Sequence, residues 1–200
     1  MLKYPSVKNL RNIGHRLGAS GTKLENTVEG LLQSIEKVSN RKFKYWEFDI
    51  RESLDGEIYV FHDDEINTSE GLIDTDKLTY SEIKEIGKKT GVNIPKFTKV
   101  VSILESRDEQ VMVEVKNLKS DDARRTLIST ISGKPNWKLM ATPDRFSNSF
   151  PANSREYWKK YCEELEVELV RVGRHKLNLF NASNSWLIWK LARFKWFFGM

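Results

Sequence analysis

Two of the three histidines in this 200-residue chain close short apolar runs. His15 ends Asn12-Ile-Gly-His-Arg16, and His62 follows the run in Ile58-Tyr-Val-Phe-His-Asp63. Imidazole titrates near neutrality, so a histidine pair suits general acid and general base work. Charged residues also interrupt strand-like segments. In Tyr45-Trp-Glu-Phe-Asp-Ile50, Glu47 and Asp49 are two apart, so on a strand both carboxylates leave one face while Trp46, Phe48 and Ile50 leave the other. Val111-Met-Val-Glu-Val-Lys116 repeats the arrangement, with Glu114 and Lys116 sharing a face opposite Val111, Val113 and Val115. Inward carboxylates without a cation are costly. Glu47, Asp49 and Glu114 together suit a hard divalent metal ion, Mg2+ or Ca2+. Arg16 and Lys116 can take the non-bridging oxygens of a phosphate. Two histidines, three carboxylates and two cations describe phosphoryl chemistry. The plainer alternative is an inward ion-pair network, Glu114 with Lys116 and Glu47 with Arg51. The third histidine, His175 in Arg171-Val-Gly-Arg-His-Lys176, has no carboxylate near it in sequence and reads as a surface residue.

The elements that must position these groups follow from apolar spacing. Alternation and short apolar runs predict strands at 12–15, 45–50, 57–62, 110–116, 137–142 and 166–172, with a seventh at 176–180. Helix-period segments lie between them. Val28, Leu31, Leu32, Ile35 and Val38 make one helical face, preceded by Asn26 and Glu29 at capping-box spacing. Thr79 and Glu82 repeat that signal ahead of Ile83 and Ile86, with Gly87 as the stop. Further helices are expected at 96–105, 120–131 and 154–165. The mostly alternating order argues for a parallel sheet or barrel. Ser53-Leu54-Asp55-Gly56 leaves the third strand open to two arrangements, a hairpin or a compact crossover.

Composition bounds the rest. A chain that is 39% hydrophobic and 30% charged has the balance of one globular domain, and it lacks repeats or low-complexity tracts. A single domain over residues 1–200 is expected, with a short insertion at about 64–93. The formal net charge of +5 favours an anionic partner. No run of five basic residues is present, which argues against a nucleic-acid tail. The N-terminus lacks the apolar core of a secretory signal, and no stretch reaches the ~18 apolar residues of a membrane span. One cysteine, Cys162, cannot form an internal disulfide. A cytoplasmic protein is expected.

His15-Arg16 with Gly18-Ala-Ser20, Glu25-Asn-Thr27, Glu47-x-Asp49, His62-Asp63, Ile94-Pro95 and Glu114-x-Lys116 resemble, in order and spacing, the glycerophosphodiester phosphodiesterase family. This family lies within the phospholipase C-like phosphodiesterase superfamily, and the resemblance covers about residues 12–117. It implies a TIM-type (β/α) barrel that hydrolyses glycerophosphodiesters to an alcohol and glycerol 3-phosphate. It implies that Glu47, Asp49 and Glu114 bind a divalent metal, with Glu25 at the rim. His15 and His62 then supply acid and base, and Arg16 and Lys116 hold the phosphate. Three departures stand out. Leu17 separates His15-Arg16 from Gly18, where the family passes directly from His-Arg to Gly, so a bulged loop is expected. The arginine common after His-Asp is missing. A C-terminal Trp-Thr-Val-Asn-like strand is absent, which predicts a barrel shortened or irregular at its C-terminal end.

Residues 185–198 hold three of the six tryptophans, interleaved with Lys190, Arg193 and Lys195. They read either as a helix closing the barrel or as an interfacial helix making peripheral membrane contact. Two other functions fit the same site. One is a phospholipase D-like activity on lysophospholipid or sphingolipid, and the other is an inactive barrel serving as a binding module.

Overall fold

The computed structural model describes residues 12–194. They form two compact units that divide between Met112 and Val113, inside one strand, β5 (Val111–Asn117).

In the first unit the sheet runs β2–β1–β5. Strand β1 (Trp46–Glu52) is buried along its whole length, with Trp46, Phe48 and Ile50 fully enclosed on one face. The charged residues Glu47, Asp49 and Arg51 are just as enclosed on the other. A strand covered on both sides retains such a stripe only where the charges find partners. Strand β2 (Ile58–Val60) runs antiparallel to β1 with Arg51 opposite Tyr59, so Ser53–Gly56 is a hairpin turn and no crossover is needed. Gly56, at φ 82°, supplies the left-handed residue of that turn.

The stretch after His62 forms an antiparallel hairpin, β3 (Glu65–Thr68) with β4 (Gly71–Asp74), followed by α2 (Tyr80–Lys89). Thr79 and Glu82 make the reciprocal capping box that their spacing predicts. Ile66, Ile83 and Ile94 pack on Tyr59 of β2, which fastens the insertion to the sheet. The predicted helix at 96–105 is α3 (Phe97–Leu104).

In the second unit the sheet continues β5–β6–β7–β8. Here β6 (Trp137–Ala141) is parallel to β7 (Leu169–Arg171), whereas β8 (Arg174–Asn178) turns back antiparallel. That reversal breaks the β/α alternation at the C-terminal end, where irregularity is expected. Helices α4 (Asp121–Ile131) and α6 (Arg155–Glu164) match their apolar periodicity. Helices α5 (Pro143–Ser149) and α7 (Leu179–Ser183) are too short for an apolar period to announce them.

Two expectations change. Residues 12–15 are not a strand but enter a run of turns, with hydrogen bonds to β1 and to the residues before it: Ile13 N–H donates to Lys42 O, and Glu47 N–H donates to Gly14 O. The helix at 28–38 is α only over Val28–Ser34 (α1) and tightens to 3-10 over Ile35–Ser39. The predicted C-terminal helix is α8 (Trp186–Arg193), and its last predicted part, 195–198, lies outside the described residues. No helix among the described residues is long and apolar enough to cross a membrane.

Candidate active site

The turn after Gly14 is built on β1. Arg16, Leu17 and Gly18 all adopt left-handed backbone, with φ of 50°, 58° and 77°. Such a run is costly for two non-glycine residues and persists only when its surroundings over-determine it. Glu47 does so twice. Its Oε2 accepts from the Arg16 N–H at 2.9 Å, and its backbone carbonyl accepts from the Leu17 N–H at 2.7 Å. Leu17 is fully buried and anchors the turn by its side chain. The bulge expected from the extra residue is therefore this left-handed turn, with Leu17 as its apolar plug.

His15 projects from the turn, about one third exposed. Its Nε2 lies 3.5 Å from Glu47 Oε2, and its Nδ1 lies 2.9 Å from Ser20 Oγ. The hydroxyl and the carboxylate thus address opposite sides of the ring. Arg16 extends towards acids: Nη1 donates to Glu25 Oε1 at 2.7 Å, and Nε stands 3.8 Å from Asp49 Oδ2.

His62 is placed by the hairpin, since the Phe61 N–H donates to the Asp49 carbonyl at 3.0 Å. Its Nδ1 is 2.6 Å from Asp63 Oδ1. The hydrogen bond from His62 is the main cause holding the Asp63 carboxyl below its ordinary pKa, so that group is ionised at neutral pH. A ring held at Nδ1 by a carboxylate presents Nε2 outward.

Glu47, Asp49 and Glu114 are all buried carboxylates, the group that could hold a metal ion. An all-oxygen donor set of this size fits a hard divalent cation. Lys116 Nζ donates to Glu114 Oε1 at 2.6 Å along β5. The alternative pairing of Arg51 with Glu47 does not form: Arg51, fully buried, pairs with Asp64 and donates to Thr75 Oγ1 at 3.4 Å.

Three residues act here to which the sequence assigned no role at the site. Asn26 binds Asp49 through both ends of its amide, Nδ2 donating to Oδ2 at 2.8 Å and Oδ1 accepting from the Asp49 N–H at 3.3 Å. The expected Asn26–Glu29 capping box is absent because Asn26 is spent on Asp49. Thr27 caps α1 instead, its hydroxyl accepting from the Gly30 N–H at 3.0 Å. Ser20 and Asp63 are the others; both stand inside matched motifs, Gly18-Ala-Ser20 and His62-Asp63, whose spacing gave them no role of their own. His175 is half-buried rather than on the surface, and burial is the main cause pushing its pKa below 6.5.

An α/β scaffold with inward carboxylates on its strands, shared with solved structures of that fold, places the protein in the TIM-barrel-like class, whose chemistry sits at strand ends. The chain belongs to the glycerophosphoryl diester phosphodiesterase family, whose sequence profile matches residues 15–175. Solved structures share its fold. One from Galdieria sulphuraria, assigned provisionally to the glycerophosphodiester phosphodiesterases, is 20% identical over 79% of this chain and 62% of its own, with a TM-score of 0.58. A glycerophosphodiester phosphodiesterase from Parabacteroides distasonis is 16% identical over 81% and 62%, with a TM-score of 0.54. Another from Thermotoga maritima is 23% identical over 83% and 75%, with a TM-score of 0.50. The chain thus spans about three fifths of the length of the first two. No curated relative matches it in sequence.

Proposed function

We propose that this chain hydrolyses glycerophosphodiesters to an alcohol and glycerol 3-phosphate, with His15 and His62 as the acid–base pair. The observation that carries the reading is the use of β1 as a common anchor. Glu47 fixes the turn bearing His15, and the Asp49 carbonyl fixes the strand end bearing His62. Both histidines are partly exposed, and each keeps one ring nitrogen held by a neighbouring oxygen.

In this reading Glu47, Asp49 and Glu114 hold a divalent cation, Mg2+ or Ca2+. When bound, such an ion neutralises charge developing on a phosphate oxygen. The remaining work falls to side chains. One histidine takes the proton of the attacking hydroxyl and the other protonates the departing alkoxide. Attack by water gives glycerol 3-phosphate directly, whereas attack by the glycerol hydroxyl gives a cyclic phosphate that a water then opens with the histidine roles exchanged. Asp63 holds the His62 ring through Nδ1 and so fixes its orientation. Arg16 and Lys116 take the non-bridging oxygens, exchanging carboxylate partners for phosphate. The single cysteine fits a cytoplasmic location.

Exposed apolar side chains on α8 favour one second reading, a phospholipase D-like activity on lysophospholipid or sphingolipid. One substrate panel separates the two. Glycerophosphocholine, glycerophosphoethanolamine and micellar lysophosphatidylcholine are incubated with Mg2+, Ca2+ or EDTA. Metal-dependent release of choline and ethanolamine from the deacylated diesters supports the first reading. Turnover of the micellar lipid alone supports the second, and no turnover of any substrate overturns both.

A further inference from the structure

The charge of this chain is unevenly placed. From Leu169 to the last residue there are six Lys and Arg and no Asp or Glu. The preceding residues carry 27 basic against 28 acidic groups, so the whole net charge of +5 resides in the last 32 residues. Arg174, Lys176, Lys190 and Arg193 in this stretch are exposed.

The same stretch carries the largest group of exposed apolar side chains. Five of the nine large hydrophobic residues exposed among the described residues fall between Trp186 and Phe194. On α8, Trp189 and Ala192 face inward, with Trp189 beside Phe146 and Ala192 fully buried. Leu187, Leu191 and Phe194 follow one another at i, i+4 and i+7 and are 60%, 53% and 62% exposed. Trp186, 71% exposed, begins the adjacent row, which continues through Lys190 and Arg193. Lys190 Nζ sits 4.1 Å from the Trp186 ring centroid, and Arg193 reaches Asp144 at 3.1 Å.

The helix does not present this face because it is loosely held. Arg171, buried on β7, donates from Nε to the Ala192 carbonyl at 2.6 Å and from Nη2 to the Phe194 carbonyl at 3.4 Å. A cation on the carbonyls at a helix C-terminus is favourable in both charge and hydrogen bonding. Thus α8 is fixed by one face with its other apolar face in water.

We propose that this face is a docking surface for an anionic lipid bilayer, with Trp186, Leu187, Leu191 and Phe194 entering the interface and Lys190 at the headgroups. Charge chooses the occupant. A second copy of the chain would set this wholly basic stretch against itself, whereas an anionic leaflet complements it, each basic residue near such a surface strengthening binding about fivefold. Tryptophan flanked by lysine and arginine is the composition that partitions to the headgroup boundary. The proposal stands apart from the catalytic reading, since binding is measured without turnover.

The test is co-sedimentation of the full chain with vesicles of phosphatidylcholine alone or mixed with phosphatidylglycerol. The expected result is pelleting with the mixed vesicles, little with phosphatidylcholine alone, and release as salt rises from about 0.1 M to 0.5 M. The double variant Leu187→Ser/Leu191→Ser and the single variant Lys190→Glu each lower binding at least fivefold while keeping the wild-type circular dichroism spectrum and the turnover of soluble diester. Protein that stays in the supernatant with mixed vesicles overturns the proposal. Unchanged binding by folded Lys190→Glu protein does the same, as does a wild-type dimer that the double serine variant converts to monomer.

Discussion

Asn26 holds Asp49 by its side chain and its backbone at once, donating to the carboxylate at 2.8 Å and accepting from the amide at 3.3 Å. It does this from a left-handed conformation, φ 59°, with its own N–H on the Arg16 carbonyl. One residue therefore ties the loop before α1, the His15 turn and the carboxylate stripe of β1 together, by its backbone and its side chain.

That grip predicts a separation of effects. Asn26→Gly and Asn26→Ala both lose the Asp49 contacts, and divalent-cation affinity falls about 10–100-fold in each, as for other partners of ligating groups. Only alanine carries the added left-handed penalty, about 1–2 kcal/mol of stability. Calorimetric titration with Mg2+ and Ca2+ measures the first effect and urea unfolding the second. Wild-type affinity in Asn26→Gly counts against Asp49 as a ligand.

The His62–Asp63 contact predicts a graded loss. His15→Ala and His62→Ala each cut kcat by about 10²–10⁴-fold with the fold intact. Asp63→Asn keeps the shape but weakens the charge-assisted hydrogen bond that orients the His62 ring, so kcat falls about 10–100-fold. Steady-state kinetics across pH 5–9 on a soluble diester read all three variants, and near-normal activity in both alanine variants sinks the assignment.

Gly14 is fixed by space. A Cβ there would stand 2.1 Å from the Tyr45 carbonyl oxygen and 2.8 Å from Phe43 Cε2. Backbone cannot swing away as a side-chain tip does, so Gly14→Ala displaces the strand entry, or the turn that carries His15. The expected cost is about 1–3 kcal/mol by chemical denaturation, with a loss of turnover larger than the unfolded fraction explains.

His175 gives a pH dependence of known sign. Burial, then Lys138, push its pKa below 6.5, so the unfolded chain binds the proton more readily than the folded one. Its contribution to stability is complete above pH 6.5 and is lost as pH falls through the lower folded value. His175→Gln removes that dependence, which melting temperatures measured between pH 5 and 7.5 reveal as a flatter slope.

Much of this molecule is legible in the order of its residues. Glu47, Asp49 and Arg51 share a face because strand side chains alternate, a property of local stereochemistry. The Thr79–Glu82 cap and the apolar faces of α4 and α6 are local in the same way. What sequence could not supply was pairing. The choice between hairpin and crossover at Ser53–Gly56 turned on the Ile50–Val60 register, and Arg51 took Asp64 rather than Glu47. Residues 12–15 have a strand's composition, yet their hydrogen bonds serve a turn.

By itself, then, the sequence determined what the candidate site offers: imidazoles, cations and carboxylate oxygens, and which of them leave a strand together. Tertiary structure alone decided what each of them grips. It set Glu47 against two consecutive amides of a left-handed turn and took Asn26 from capping a helix to holding Asp49. The physical reason is range. Side-chain alternation and capping depend on a few neighbouring residues, whereas these contacts close loops of about 20–30 residues and depend on burial that only the folded chain provides.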